Sequence, residues 1–247
     1  DYDLIIGSDG VNSIVRQSGS FGTVLEPLSN KFVWFGARRP FDTLTQSFRE
    51  TTMGRFNAHH YRYAPDMSTF IVETDEATWA AAGFADMSED ESRVTCEHLF
   101  ADVLEGAPLV ANKSLWRNFP KLWNDTWYDG NKVLLGDSLH TAHFSIGSGT
   151  RLAMEDGIAL VRAMIDAKGD VAQALPAYQA TRKPIVEKIV VAANRSALWY
   201  EDFAKHMDLS PWDLADSYIR RAGRIDDDRL RKLAPKFMAG LDAHRAA

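Results

Sequence analysis

The stretch Lys132-Val-Leu-Leu-Gly-Asp-Ser-Leu-His-Thr-Ala-His-Phe-Ser-Ile-Gly-Ser-Gly-Thr-Arg-Leu-Ala-Met-Glu-Asp156 decides how the rest of the chain is read. Val133, Leu134 and Leu135 form a short aliphatic run closed by Gly136, the pattern of a buried strand that delivers Asp137 to its carboxyl end. Ser145, Ile146, Gly147, Ser148, Gly149 and Thr150 then open a helical pattern. Glycines at a helix start let backbone N–H groups come close to an anionic or electron-rich ligand, and the helix dipole adds to the attraction. A carboxylate at a strand end accepts hydrogen bonds from ligand hydroxyls, the contact a polyol chain needs. The stretch therefore offers a polyol anchor beside an anion-receptive helix start.

Toward the amino terminus, Asp3-Leu-Ile-Ile-Gly-Ser-Asp-Gly-Val-Asn-Ser-Ile-Val-Arg16 repeats the theme. A strand over Leu4–Ile6 runs into a glycine-punctuated turn carrying Asp9 and Gly10, then into a short helical run ending at Arg16. The chain starts on Asp1-Tyr-Asp, with a strand already under way and no initiator methionine. It is expected to be a fragment whose amino-terminal part is missing.

Between the two motifs the texture is β. Lys31–Arg38, Leu44–Phe48, Arg55–Tyr63 and Met67–Thr74 are rich in aromatic and β-branched residues, and Ala64-Pro-Asp66 is a turn signal that makes a hairpin of the last two. Ser88-Glu-Asp-Glu91 starts a helix with a capping serine and early acidic residues. Leu115–Phe119 is a further strand candidate, followed by an aromatic linker over Leu122–Tyr128. Beyond the opening stretch, Leu152, Ile158, Val161 and Ile165 are expected on one side of a helix ending near Lys168-Gly169, with Glu155 and Asp156 supplying negative charge to the first turns. Asp170 caps a long second helix that Pro184 is expected to kink, and Ser210-Pro-Trp-Asp213 starts another. The expected division is 1–25 and 129–200 in one domain, 26–128 in a mostly antiparallel second domain, and 201–247 as a helical end.

A hydrophobic fraction of 45% and a charged fraction of 25% are those of an ordinary globular chain. The formal net charge of -6 argues against nucleic acid or an anionic membrane as the main partner. No apolar run approaches the ~18 residues of a spanning helix. The single Cys96 excludes an intrachain disulfide framework, and the setting is expected to be cytoplasmic. His140 and His143 lack a third ligand at suitable spacing and sit in a glycine-rich loop, so no metal is expected. His59-His60-Tyr61-Arg62-Tyr63 alternates on a strand, with core packing favoured over a role in lining a cavity. Arg38 and Arg39 read as solvated charges.

A strand with Asp-Gly, a central sheet, then a strand with Gly-Asp and a glycine-rich helix start resembles the flavin-dependent aromatic monooxygenases similar to para-hydroxybenzoate hydroxylase. The likeness is carried by Asp3–Arg16, by Gly136-Asp-Ser-Leu-His140 and by Gly147-Ser-Gly149. It implies an α/β (α+β) fold: a partial Rossmann-like FAD-binding domain, an inserted antiparallel substrate domain and carboxyl-terminal helices. In that family the Gly-Asp aspartate bonds the ribityl chain of FAD, which implies this role for Asp137 beside Gly136. The following helix start implies that Ser145, Ile146, Gly147, Ser148, Gly149 and Thr150 lie by the flavin ring, with Asp9, Gly10 and Arg16 in support. His143 and Phe144 are placed near flavin and substrate, and His60 among candidates to line the substrate cavity. No catalytic base is assigned.

The resemblance implies oxidation of NADH or NADPH, reaction of reduced flavin with O2 to a C4a-hydroperoxide, and hydroxylation of an aromatic ring. His140–Gly149, Met67–Glu73 and Trp116–Phe119 look closest to the branch containing salicylyl-CoA 5-hydroxylase, the monooxygenase part of anthraniloyl-CoA monooxygenase and the tryptophan-derivative hydroxylase of violacein synthesis. An aryl-CoA thioester is therefore the expected substrate, and a further oxidoreductase domain downstream fits this branch. The sequence departs from the family at Phe144, where proline is usual, and at Arg151, near a usual asparagine. The family's G-x-G-x-x-G is not in this chain. A flavin-dependent reductase or dehydrogenase on the same scaffold, or a piece inactive alone, remain competing readings.

Overall fold

The computed structural model describes residues 2–246. In chain order the elements are β1 (Ile5–Gly7), α1 (Ile14–Gln17), β2 (Thr23–Ala37), β3 (Thr45–Thr51), β4 (Gly54–Ala64), β5 (Met67–Thr74), α2 (Glu76–Ala81), α3 (Glu89–Leu99), α4 (Ala101–Leu104), β6 (Leu109–Val110), β7 (Arg117–Asn124), β8 (Tyr128–Asp129), β9 (Lys132–Leu134), α5 (Gly149–Asp166), α6 (Val171–Glu201), α7 (Phe203–His206), α8 (Pro211–Arg220), α9 (Asp227–Leu233) and α10 (Pro235–Ala246). Tight 3-10 turns occupy Gly136–Ser138 and Phe144–Ile146. The chain divides into two units, one of Asp1–Pro27, Pro120–Tyr200 and Leu209–Ala247, the other of Leu28–Phe119 and Glu201–Asp208. The aromatic linker Leu122–Tyr128, set within 26–128 in the expected division, falls in the first unit. There Trp127 is fully buried, 5.3 Å from the Tyr178 ring.

In the first unit β1 pairs in parallel with β9, Ile5 opposite Lys132 and Gly7 opposite Leu134, and β8 pairs antiparallel on the other side of β9. A core of Trp127, Val133, Leu134, Leu152, Leu160, Leu175, Tyr178 and Val186 joins this sheet to α5 and α6. The inward stripe of α5 is Leu152, Asp156, Leu160 and Ala163. Of the apolar residues read on one side of this helix, Leu152 packs in the core while Ile158, Val161 and Ile165 are exposed, because α5 carries apolar residues on two faces and only one packs on the core. α6 is helical without interruption through Pro176 and Pro184. Ser210 and Pro211 start α8 as read: the Ser210 hydroxyl accepts the Asp213 amide, and Pro211 needs no hydrogen bond in the first turn.

In the second unit the strands lie in the order β3-β4-β5-β2-β6, with β7 also pairing β2, and the β3–β4, β4–β5, β2–β5 and β2–β6 pairs are antiparallel. The hairpin of β4 and β5 turns at Pro65 and Asp66 as its turn signal predicts. Alternation sends Val33, Phe35, Phe56, Ala58, Phe70 and Val72 into one core with Cys96, Phe100 and Leu104. Ser88 caps α3 as expected, and with Glu91 it goes further and forms a reciprocal capping box. Among the described residues no helix is long and apolar enough to cross a membrane.

Candidate functional site

Because β1 and β9 run parallel, their carboxyl ends lie at one edge of the sheet, and the two acidic turns follow directly from it. Ligands of parallel α/β sheets bind at such ends. The turns are tied together. Leu135 donates its amide to Gly7 O at 3.0 Å, and the buried Ser138 hydroxyl bonds Gly7 O at 2.5 Å. Arg16, buried at the end of α1, donates from Nη1 to Ser138 O at 2.8 Å and from Nη2 to Val11 O. One guanidinium therefore spans both motifs.

Asp9 is committed to its own turn. Its Oδ2 accepts the amides of Ile14 at 2.8 Å and Val15 at 3.4 Å, at the start of α1. Burial pushes its pKa up, but the Ser13 hydroxyl and these amides outweigh that and hold it below the usual carboxylate range.

Asp137 is the opposite case. It is exposed between buried Gly136 and Ser138, and its carboxylate has no hydrogen-bond partner among the described residues. The turn beneath it is held firmly. Gly136 sits at φ +62°, where a side chain is strained, and an added Cβ would lie 3.0 Å from that of Ala153. Its N–H donates to Asp156 Oδ2 at 3.1 Å, and that same oxygen accepts from His140 Nε2 at 2.8 Å. Arg182 Nε donates to Asp156 Oδ1 at 2.8 Å, and Arg182 also pairs with Glu155 at 2.9 Å. Asp156 is fully buried, so beyond the negative charge expected of it near the helix start it is the hub of the turn. The missed signal was periodic: Asp156 stands on the core stripe of α5, where a charge persists only if it is paired.

The loop that follows is fixed by a second buried chain. Ser145 Oγ lies 2.8 Å from His143 Nδ1 and 2.7 Å from Ser196 Oγ, while Arg221 donates to Ser145 O at 3.0 Å and stacks 3.9 Å from the Tyr218 ring centre. Arg182, Ser196 and Arg221 were not singled out in the sequence, since each reaches its partner from a distant helix. The His143 ring is buried, and the half-buried Phe144 ring lies 4.1 Å from it.

Within Ser145–Thr150 the amides divide. Those of Ser145, Ile146 and Gly147 bond inside the loop, to His143 Nδ1, His143 O and Phe144 O. Those of Ser148, Gly149, Thr150 and Arg151 have no partner among the described residues, and no side chain caps α5. Gly147 contributes through its left-handed φ of +59°, and added Cβ atoms at Gly147 and Gly149 would meet almost nothing, leaving room for a ligand. An uncapped helix start beside a free carboxylate suits a ligand with both an electron-rich edge and hydroxyls. A flavin nucleotide has both.

In the second unit, His60 is packed in the core face, 4.0 Å from the Phe41 ring and 5.3 Å from Phe70, with Ser47 Oγ 3.0 Å from Nε2. It does not line the cleft on that unit. Burial, with Arg39 and Arg49 nearby, pushes its pKa down to about 4. Glu73 is buried, takes a hydrogen bond from Asn30 at 3.0 Å, and is pushed up to about 8, chiefly by burial. Among the described residues no group of three or more His, Cys, Asp or Glu could hold a metal ion.

The parallel strand ends, the free carboxylate and the uncapped helix define a nucleotide-cofactor domain, and the family comparison names it. The family described as FAD binding domain matches residues 1–193, and the chain belongs to it. Salicyloyl-CoA 5-hydroxylase of Streptomyces sp is 42% identical over 217 residues, 84% of this chain and 42% of that protein. The 3-hydroxy-4-methyl-anthranilyl-[aryl-carrier protein] 5-monooxygenase of Streptosporangium sibiricum is 39% identical over 227 residues, 91% of this chain and 60% of that protein. The chain thus spans about half the length of these curated relatives. The crystal structure of PqsL from Pseudomonas aeruginosa matches 84% of this chain and 59% of its own with a TM-score of 0.60 at 24% identity, a likeness of fold.

Proposed function

We propose that this chain is the flavin-holding and substrate-enclosing part of an FAD-dependent aromatic monooxygenase. It takes electrons from NADH or NADPH and hydroxylates an aromatic acyl thioester of the aryl-CoA kind. The observation that carries the reading is the unpartnered Asp137 carboxylate on a turn whose buried groups are bonded, in a chain of the FAD-binding family. Bound and reduced, FAD supplies the activation of O2 and the transfer of one oxygen atom to the ring.

The chain's own residues do the rest. Asp137 would accept hydrogen bonds from the ribityl hydroxyls, and the free amides of Ser148, Gly149 and Thr150 would donate to the electron-rich edge of the ring. The α5 dipole favours negative charge there, by about 0.3–1 kcal/mol for an exposed pair and more when water is excluded. Asp9, Gly10 and Arg16 keep the neighbouring turn in place. The His143–Ser145–Ser196 chain holds the loop closed behind Phe144, so that water is kept from the reacting centre. His143 and Phe144 are assigned to the substrate side, and His60 supports the sheet from within its core. No covalent nucleophile is needed. The thioester class is supported by two relatives whose names specify CoA-bound and carrier-bound aromatic substrates.

The test uses the complete gene product. It is expected to purify with, or take up, yellow flavin, and to oxidise NADH or NADPH faster when an aromatic thioester is added, with one labelled oxygen from O2 in the product. A protein that cannot be loaded with FAD would sink the reading. Oxidation of NAD(P)H with no oxygen incorporated would favour a reductase or dehydrogenase instead.

A further inference from the structure

A cleft of about 690 Å³ opens on the second unit, in the size range of small-molecule sites. Phe32, Trp34 and Gly36 alternate along β2, opposite Glu73, Ile71 and Thr69 of β5, and therefore share the face turned away from the Val33, Phe35, Phe70 and Val72 core. Phe32, Trp34, Tyr63, Met67, Lys113 and Arg117 line the opening. Trp34 and Tyr63 are 45% and 61% exposed, an unusual cost for two large rings within one cleft.

The charges are as uneven as the rings. Lys113 and Arg117 make no side-chain hydrogen bond or ion pair among the described residues, and no carboxylate lines the cleft, although the chain as a whole carries -6. Arg39, by contrast, is committed to Glu105 at 2.8 Å and Val103 O at 2.6 Å. The loop bearing Lys113 is built in: Ser114 Oγ donates to Trp34 O at 2.5 Å, and Ser114 N donates to Glu89 Oε1 at 2.6 Å. Lys113 itself is held at φ +54°, in the left-handed region. Its loop is thus tied directly to the strand that carries the Trp34 ring.

We propose that this cleft binds the nucleotide end of a coenzyme A thioester, its adenine stacked on Trp34 or Tyr63 and its phosphates held by Lys113 and Arg117. A neutral arene would leave two cations without partners, and a bare phosphate would leave the exposed faces of two large rings in solvent. The inference deepens the aryl-thioester reading and depends on it for the identity of the ligand.

The experiment is calorimetric binding of coenzyme A, 3′-dephospho-coenzyme A and pantetheine to the full chain, with Lys113→Gln/Arg117→Gln and Trp34→Leu as variants. Coenzyme A is expected to bind tightest, pantetheine not measurably, and salt to weaken the binding. The double variant is expected to lose about tenfold or more in affinity, in keeping with charge-assisted contacts to phosphate. Its circular dichroism should be unchanged, since both side chains are exposed. Equal binding of coenzyme A and pantetheine, or equal binding by wild type and double variant, would overturn the proposal. So would a carrier protein bearing phosphopantetheine that needs Lys113 and Arg117 when coenzyme A does not. If an aryl-CoA is hydroxylated with a KM that the double variant leaves unchanged, the cleft assignment fails while the monooxygenase reading stands. Coenzyme A binding that requires both cations, without hydroxylation of any aryl thioester, upholds the cleft and removes the activity.

Discussion

Arg182 of α6 donates from Nε to the Oδ1 of the fully buried Asp156 on α5, 2.8 Å away, and through Asp156 a second helix holds the Gly136 turn. Breaking a buried pair by removing one partner leaves an uncompensated charge, at a cost of about 3–5 kcal/mol. Arg182→Ala and Asp156→Ala are each expected to lose that much stability in urea unfolding. The double variant should lose less than the sum, because each single change orphans the other group. Additive losses would mean that the two residues act independently.

Asp137 gives the converse prediction. Its carboxylate has no partner among the described residues, so Asp137→Ala should leave stability within about 0.5 kcal/mol of wild type. Titration of FAD followed by flavin fluorescence should meanwhile show affinity reduced by about tenfold or more, the value of a single hydrogen bond of about 1.5 kcal/mol made to a charged acceptor. Unchanged flavin affinity would remove its ribityl contact.

Arg16 bridges Val11 O and Ser138 O with two nitrogens of one planar group. Lysine has a single point of donation, so Arg16→Lys is expected to destabilise by about 1–3 kcal/mol, nearly as much as Arg16→Met. Full rescue by lysine in thermal unfolding would show that charge alone matters.

Glu73 makes stability depend on pH. Its pKa rises from 4.5 in the unfolded chain to about 8 when folded, through burial first, opposed by the Asn30 hydrogen bond and reinforced by Glu201. The folded state holds the extra proton, so stability is greatest below pH 4.5 on this account and falls as pH rises toward 8. His60 acts oppositely: its folded pKa of about 4 lies below 6.5, so stability is lost as pH falls through that window. Glu73→Gln, which imitates the protonated acid, should gain on the order of 2 kcal/mol at neutral pH and retain only the acid-side loss. Urea midpoints between pH 5 and 8.5 that move in parallel for both proteins would refute this.

Much of the local structure was legible. The Ser88 cap of α3, the Ser210–Pro211 helix start and the β4–β5 hairpin depend on contacts within a few residues, and each forms where its residues predict. The order of the two acidic motifs along the chain is itself enough to indicate the family. Which apolar residues of α5 pack on the core was not legible, because Ile158, Val161 and Ile165 satisfy a helical period as well as the true stripe does.

By itself, then, the sequence determined the elements, the glycine positions that require left-handed backbone, and the two motifs, all consequences of backbone sterics and near neighbours. Only the tertiary structure decided which polar groups are spent and which are free. Arg16 meets Ser138 across 122 residues, His140 meets Asp156 across 16, and Arg182 meets Asp156 across 26. Burial forces such groups to find partners wherever the packed helices bring them, and that choice has no local signature. Asp9 and Asp137 look alike as strand-end aspartates. One is consumed in capping α1, and the other is left with its carboxylate open because the bonds around it are already made.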